Sequence, residues 1–144
     1  MMRSRAAVLL RARLGRRGSV LLGFGTLELL YGLGLVLDPR FGIVRGVGVL
    51  THAAPMWVWG GLWMACGLCA LVMAWEVRAT RDTWGYAAAI LPPIGWAGAN
   101  LVAWLTGTYG QAWTSAVTWG CLAFVIRRVN GWPEVRGVGR EGRP

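Results

Sequence analysis

The chain has few of the residues from which enzymes and metal sites are built. It contains no lysine, one histidine, three cysteines and six acidic residues in 144 positions. The single histidine, His52, has no other ligand near it in sequence, which argues against a metal centre or a catalytic dyad. P-loop, nucleophile-elbow, H-E-x-x-H and dinucleotide-binding motifs are also missing from the sequence. We therefore expect neither catalysis nor a bound metal or other cofactor.

The three cysteines do not form a redox or zinc motif. Cys66 and Cys69 have C-x-x-C spacing, but they lie inside a long apolar run without a second pair of ligands. Cys121 stands alone in another apolar run. We interpret all three as small packing residues.

Long apolar runs are instead the dominant feature of the sequence. Hydrophobic residues make up 56% of the chain, and the mean hydropathy is +0.48. A helix needs about 20 apolar residues to cross the hydrocarbon core of a bilayer. The pattern predicts an all-α integral membrane protein, a four-helix bundle flanked by basic segments at 1–18 and 127–144. The four predicted spans are residues 19–37, 53–75, 84–105 and 111–126.

Arginine supplies all fifteen basic residues, and it is divided unequally between the two predicted sides of the membrane. With four spans, both termini and the loop between the second and third span lie on one side. That side carries thirteen arginines and the other side two. The positive-inside rule therefore places both termini in the cytoplasm, with the chain in the inner (plasma) membrane of a bacterial or host cell.

Binding to nucleic acid is not needed to explain the net charge of +9. The predicted topology and the attraction of arginine to the head groups of the lipid bilayer account for it. We therefore do not expect nucleic-acid binding. The charge-balanced stretch of Glu76, Arg78, Arg81 and Asp82 is expected to be a solvated connector.

Tryptophan and tyrosine are typical of the boundary between membrane and water. Most of these residues lie at the ends of the predicted spans. Trp63, Trp96 and Trp119 lie deeper and are expected to fill gaps between helices.

Small residues recur at helical spacing in every predicted span, which predicts close contacts between helices of one chain or of several chains. Gly25 and Gly32 are one heptad apart, and Gly60 and Gly67 repeat that spacing 35 residues later. We attribute this similarity to the glycine-rich composition. The predicted packing residues are Gly25, Gly32, Cys66, Ala70, Ala74, Gly95, Ala99, Ala103, Ala112, Ala116 and Gly120.

The pair Pro92-Pro93 lies within the third predicted span. Proline lacks the amide hydrogen of a helical bond, so carbonyl groups near Ala88 and Ala89 lose their donors. We predict a structural kink at this position, and a gating hinge is the alternative.

Two polar side chains, Glu28 and Asn100, lie deep in the predicted spans. An ionised side chain at mid-bilayer costs about 2.5–3.5 kcal/mol on insertion scales, so Glu28 is expected to face the bundle interior or water. A proton or cation site and a neutral acid that only donates a hydrogen bond are both open interpretations of Glu28. Asn100 is expected to hydrogen-bond another span, and Glu28 is its candidate partner.

The organisation of the chain resembles that of small four-span holin-like membrane proteins of GC-rich bacteria, such as actinobacteria, and of their phages. The resemblance rests on the basic N-terminus, the Trp/Gly-rich helices, the short arginine tail and stretches such as residues 56–63. It implies a homo-oligomer that permeabilises the membrane, with the small residues as contacts and the basic tails as anchors. Two other functions stay open. One is a small proton-coupled exporter that uses Glu28, and the other is an accessory or scaffold subunit that binds another membrane protein.

Overall fold

The computed structural model describes residues 5–38, 45–75 and 82–132. These residues are helical almost throughout and contain no strand, which confirms the predicted all-α class. A single 3-10 turn at Arg45–Val47 precedes the second helix. The helices are α1 (Arg5–Leu37), α2 (Gly48–Ala53), α3 (Met56–Met73), α4 (Asp82–Leu105) and α5 (Ala112–Asn130).

Within the described residues, three segments are long and apolar enough to cross a membrane, namely Leu14–Leu37, Met56–Met73 and Asp82–Leu105. The fourth predicted span forms a helix, α5, but it is not among these segments. Two arginines in its last turn shorten its apolar part. Three candidate spans are therefore established, and the fourth stays a prediction.

The boundaries of the first two spans differ from the predicted ones for backbone reasons. In α1, Gly15 has φ 62° and ψ −171°, so two helical stretches join at this residue. A residue without a Cβ adopts this conformation at little cost. The first candidate span thus begins at Leu14 rather than at position 19. The second begins after Pro55, whose extended backbone separates α2 from α3.

Helices α1 and α3 pack closely and antiparallel through their glycines. A Cβ built on Gly25 would lie 2.8 Å from the carbonyl oxygen of Gly67, and one built on Gly67 would lie 2.7 Å from that of Gly25. Backbone therefore touches backbone, the arrangement by which helices associate in lipid. The contacting pairs are Gly18 with Ala74, Gly25 with Gly67, and Gly32 with Gly60.

A tight turn at residues 106–111 reverses the chain between α4 and α5. Gly107 ends α4 with φ +70°, and its N–H donates to the carbonyl of Trp104 at 3.1 Å. The N–H of Tyr109 donates to the carbonyl of Ala103 at 3.2 Å. These bonds satisfy carbonyl groups that a helix end leaves without partners, and α5 then packs back along α4.

The buried apolar residues form two clusters, one towards each end of the bundle. The cluster at the Arg17 end of α1 contains Leu21 and Ala89, and the other contains Leu35 and Trp96. The outer faces also carry large apolar side chains, such as Trp84 (72% exposed) and Phe124 (64% exposed). A bundle with apolar residues both inside and outside is suited to lipid rather than to water.

Candidate functional site: a carboxyl group at the centre of the bundle

Glu28 lies midway between the two apolar clusters. Leu21 and Leu35, each seven residues away on the same face of α1, belong to opposite clusters. The Glu28 side chain is only 1% exposed, and neither carboxylate oxygen has a hydrogen-bond partner within the described part of the chain. The sequence predicts that Glu28 faces either the bundle interior or water. In the structure it faces the bundle interior.

The backbone of α3 encloses Glu28. A Cβ built on Gly67 would lie 3.0 Å from the Glu28 Cβ and 2.7 Å from the amide nitrogen of Leu29. No cation offsets a negative charge here among the described residues. The neutral acid is thus the form that suits the closed bundle, because an isolated buried carboxylate is strongly disfavoured.

An aromatic cluster of Tyr31, Trp59, Trp63, Trp96 and Trp119 begins one helical turn after Glu28. The Tyr31 ring centroid lies 4.6 Å from that of Trp63 and 5.4 Å from that of Trp119. Trp63 and Trp96 meet edge to face at 5.2 Å and 89°. The burial of Trp63 and Trp96 confirms their predicted place between helices. Aromatic faces attract cations, as an ionised carboxylate does, so the cluster and Glu28 favour the same kind of ligand.

Pro92 and Pro93 lie on α4 at the level of Glu28. They fall between Ala89 and Trp96, which belong to the two opposite apolar clusters. Both prolines are buried, and the helix is uninterrupted through them. Because neither can donate an amide hydrogen, α4 has two fewer backbone hydrogen bonds at this level. α4 nevertheless runs through both prolines as one helix, and the kink stays a prediction.

The expected pairing of Glu28 with Asn100 is wrong. The Asn100 side-chain amide is buried and donates to the carbonyl of Trp96, one turn earlier in α4, at 2.8 Å. Its oxygen has no hydrogen-bond partner in the described region. Asn100 lies against Gly46 in the turn before α2 and near Ala112 at the start of α5. It therefore belongs to the other end of the bundle from the Arg17 region and does not reach Glu28.

A second buried polar group, the Arg17 cluster, joins three helices at one end of the bundle. It consists of Arg17 on α1, Asp82 and Tyr86 on α4, and Asn130 on α5. An Nη atom of Arg17 lies 2.9 Å from a carboxylate oxygen of Asp82 and donates to the Asn130 side-chain oxygen at 3.0 Å. The Tyr86 hydroxyl donates to the carbonyl of Arg17 at 3.0 Å. The cluster therefore fastens α1 to the start of α4 and the end of α5.

The Arg17 cluster corrects one interpretation of the sequence. Asp82 is only 6% exposed, so it is not part of a solvated connector. The remainder of that predicted connector, Glu76, Arg78 and Arg81, lies outside the described residues.

The structure places most of the predicted packing residues in the interior. Ala116 and Gly120 on α5 are half-buried, whereas Gly95 on α4 is exposed with open space beside it. Cys121 is exposed on α5, so its interpretation as a packing residue within this chain is wrong. The buried predicted packing residues are Gly25, Gly32, Cys66, Ala70, Ala74, Ala99, Ala103 and Ala112.

The fold and its two polar sites have the features of a polytopic helical membrane protein. Large apolar side chains face outwards, while small residues and isolated polar groups are buried. Residues 5–38, 45–75 and 82–132 contain no group of three His, Cys, Asp or Glu side chains that could hold a metal ion. No family model, curated protein or solved structure matches the chain. The function is therefore argued from the chemistry of the site itself.

Proposed function

We propose that the chain is a four-span inner-membrane protein that exchanges a proton at Glu28 for an organic cation. The supporting observation is a fully buried carboxyl group without a hydrogen-bond partner, one turn from an aromatic cluster. A carboxyl group in such a site is neutral when the site is empty, and its ionised form is stabilised by a bound cation. The aromatic faces add attraction for the same cation. Proton and cation then compete for one site, which is the basis of coupled exchange.

Exchange requires the closed bundle to open. Glu28 is enclosed by α3 on one side and lies at the level of Pro92-Pro93 on α4. Because α4 lacks two backbone hydrogen bonds there, bending at this level is less costly than elsewhere along the helix. In this proposal, the proline pair therefore acts as the gating hinge.

The holin-like and scaffold functions stay alternatives predicted from the sequence. Both need contacts with another chain, and Gly25 and Gly32 are already occupied by α3 of the same chain. The predicted packing residues left for such contacts are Ala116 and Gly120 on α5, and Gly95 on α4.

Glu28→Gln should abolish proton release on cation binding. When tetraphenylphosphonium is added to the detergent-solubilised protein near neutral pH, the wild type should release up to one proton per chain. Glutamine has a similar volume but no proton to release, so the variant should release none. The measurement is the absorbance of a pH indicator in weakly buffered solution, with bound cation counted by equilibrium dialysis.

The matched control is Asp38→Asn, which removes a carboxyl group from an exposed position at the end of α1. It should release protons as the wild type does. Thermal unfolding of each variant checks that the bundle is intact. Equal proton release from Glu28→Gln and wild type, or none from the wild type, would refute the proposal.

The four-span topology predicts that Thr108 and Arg143 lie on opposite sides of the membrane. Single cysteines at these positions, in a variant without Cys66, Cys69 and Cys121, can be tested with a membrane-impermeant maleimide. In spheroplasts, Thr108→Cys should react at once, because the turn between α4 and α5 faces outwards in this topology. Arg143→Cys should react only after the membrane is opened. Reaction of both residues in intact spheroplasts would mean that α5 does not cross the membrane.

A further inference from the structure

A cavity of about 380 Å³ lies at the end of α5, open to the surface and lined by Arg127, Arg128, Gly131 and Trp132. Arg16 on α1 borders it, because the Arg16 guanidinium carbon lies 5.7 Å from the centroid of the Trp132 ring. Three arginines from two helices therefore meet around one opening. The cavity is next to the Arg17 cluster, since Asn130 lies in the chain between the lining residues Arg128 and Gly131.

Within the described residues, no carboxylate neutralises these three arginines. Asp82 is paired with Arg17, and Glu28 is enclosed at the centre of the bundle. Asp38 follows the other end of α1. Among the described residues, the opening is therefore lined by positive charge alone, which suits an anion. Guanidinium groups in particular bind phosphate through paired, charge-assisted hydrogen bonds.

An apolar surface continues from the cavity along α5. Phe124 lies one turn before Arg128 and is 64% exposed, and Val117 lies two turns further and is 56% exposed. These residues lie near one face of the helix, because positions 117, 124 and 128 differ by seven and four. The half-exposed Trp132 ring is a side chain typical of head-group depth. The site thus pairs a phosphate-binding end with a surface for an acyl chain.

From this arrangement we infer that the cavity binds the phosphate head group of an anionic phospholipid, whose acyl chain lies along α5. A free phosphate ion would use the arginines but not Phe124 or Val117. Arg17 is occupied by Asp82 and takes no part. The inference does not depend on the proposed role of Glu28, which lies in the middle of the bundle, but it rests on the proposed crossing of the membrane by α5.

Native mass spectrometry of the full-length protein tests this inference. The detergent-solubilised protein is mixed with equal amounts of phosphatidylglycerol and phosphatidylcholine, and retained lipids are counted. The wild type should retain phosphatidylglycerol preferentially. The double variant Arg127→Gln/Arg128→Gln should need about thirtyfold more phosphatidylglycerol for the same occupancy, given roughly 1 kcal/mol for each of the two arginines near an anionic lipid.

The matched control is Arg40→Gln/Arg45→Gln, which removes the same charge from the segment before α2. It should bind phosphatidylglycerol as the wild type does. If the lining double variant unfolds, Arg16→Gln replaces it, because Arg16 is exposed. Unchanged binding in the folded lining variant, or an equal loss in the control, would overturn the inference.

A separate measurement distinguishes lipid from free phosphate. Inorganic phosphate is added at the phosphatidylglycerol concentration that gives half occupancy. It should leave the lipid bound, and Phe124→Ser should weaken lipid binding. Displacement by inorganic phosphate together with full binding by Phe124→Ser would mean that the site recognises phosphate alone, and the assignment to phospholipid would be wrong.

Discussion

Asp82→Ala should destabilise the bundle by about 3–5 kcal/mol, the usual effect of removing one partner from a buried ion pair. Arg17 and Asp82 have side chains only 9% and 8% exposed, and they approach to 2.9 Å. Without Asp82, the guanidinium group keeps its hydrogen bond to Asn130 but loses the opposite charge. Its positive charge would then be buried without the carboxylate that lies beside it in the wild type. The change is measurable as the free energy of unfolding in mixed micelles.

Thr83→Ala is the matched control for this substitution. Thr83 is the next residue of α4 and is exposed, so its loss should change stability by no more than about 0.5 kcal/mol. The double variant Arg17→Met/Asp82→Ala should recover part of the loss, since it removes the buried positive charge as well. If Asp82→Ala is as stable as Thr83→Ala, the ion pair does not fasten the helices.

Gly67→Ala should destabilise the α1–α3 contact by about 1–3 kcal/mol, the range for overpacking. The added methyl carbon would lie 2.7 Å from both the Gly25 carbonyl oxygen and the Leu29 amide nitrogen. These are backbone atoms, so no side-chain rotation relieves the clash and the helices must move apart. Gly60→Ala should have a similar effect, because its methyl carbon would lie 2.8 Å from the Gly32 carbonyl oxygen.

Gly61→Ala is the control, and the change in stability expected for it has the opposite sign. Gly61 is on the same helix, but no atom lies within 4 Å of a Cβ built there. Alanine favours the helix over glycine by up to about 1 kcal/mol, so Gly61→Ala should be neutral or stabilising. Reversible unfolding in detergent of Gly60→Ala, Gly61→Ala and Gly67→Ala gives the comparison. Equal stabilities for Gly61→Ala and Gly67→Ala would contradict the close packing.

The all-α class and the burial of Trp63 and Trp96 between helices could be predicted from the sequence. Long apolar runs and the placement of aromatic residues within them are local signals. Helix boundaries were less predictable. The break at Gly15 depends on a positive φ, which glycine permits but does not require. The separation of α2 from α3 depends on Pro55, which falls inside the predicted span 53–75, and a separate helix before it was not predicted.

The α1–α3 contact shows how a signal can be present but misinterpreted. The shared heptad of Gly25–Gly32 and Gly60–Gly67 is visible in the sequence, and we attributed it to composition. In an antiparallel pair, equal spacing on both helices lets two glycines meet two glycines. Only the relative position of the helices turns this repeat into a contact, and no single helix contains that information.

The candidate site was only partly predictable, because its contacts also depend on the relative positions of the helices. A lone acidic residue in an apolar run indicates burial by its cost in lipid, and Glu28 is buried. Which side chains lie beside Glu28 depends on the position of each helix along the bundle axis. Asn100 lies too far along α4 and bonds to its own helix. Arg17 and Asp82 are remote in sequence, and each alone is an ordinary charge at a helix end.

The hydrogen bond from Arg17 to Asn130 spans 113 positions of the chain. During synthesis, Arg17 emerges first, Asp82 later and Asn130 last. Arg17 therefore meets Asn130 only after most of the polypeptide has been made, and this bond joins α1 to α5 only when α5 is complete. Ribosome stalling before residue 130 would leave a precursor in which α1 packs against α3 but lacks its bond to α5.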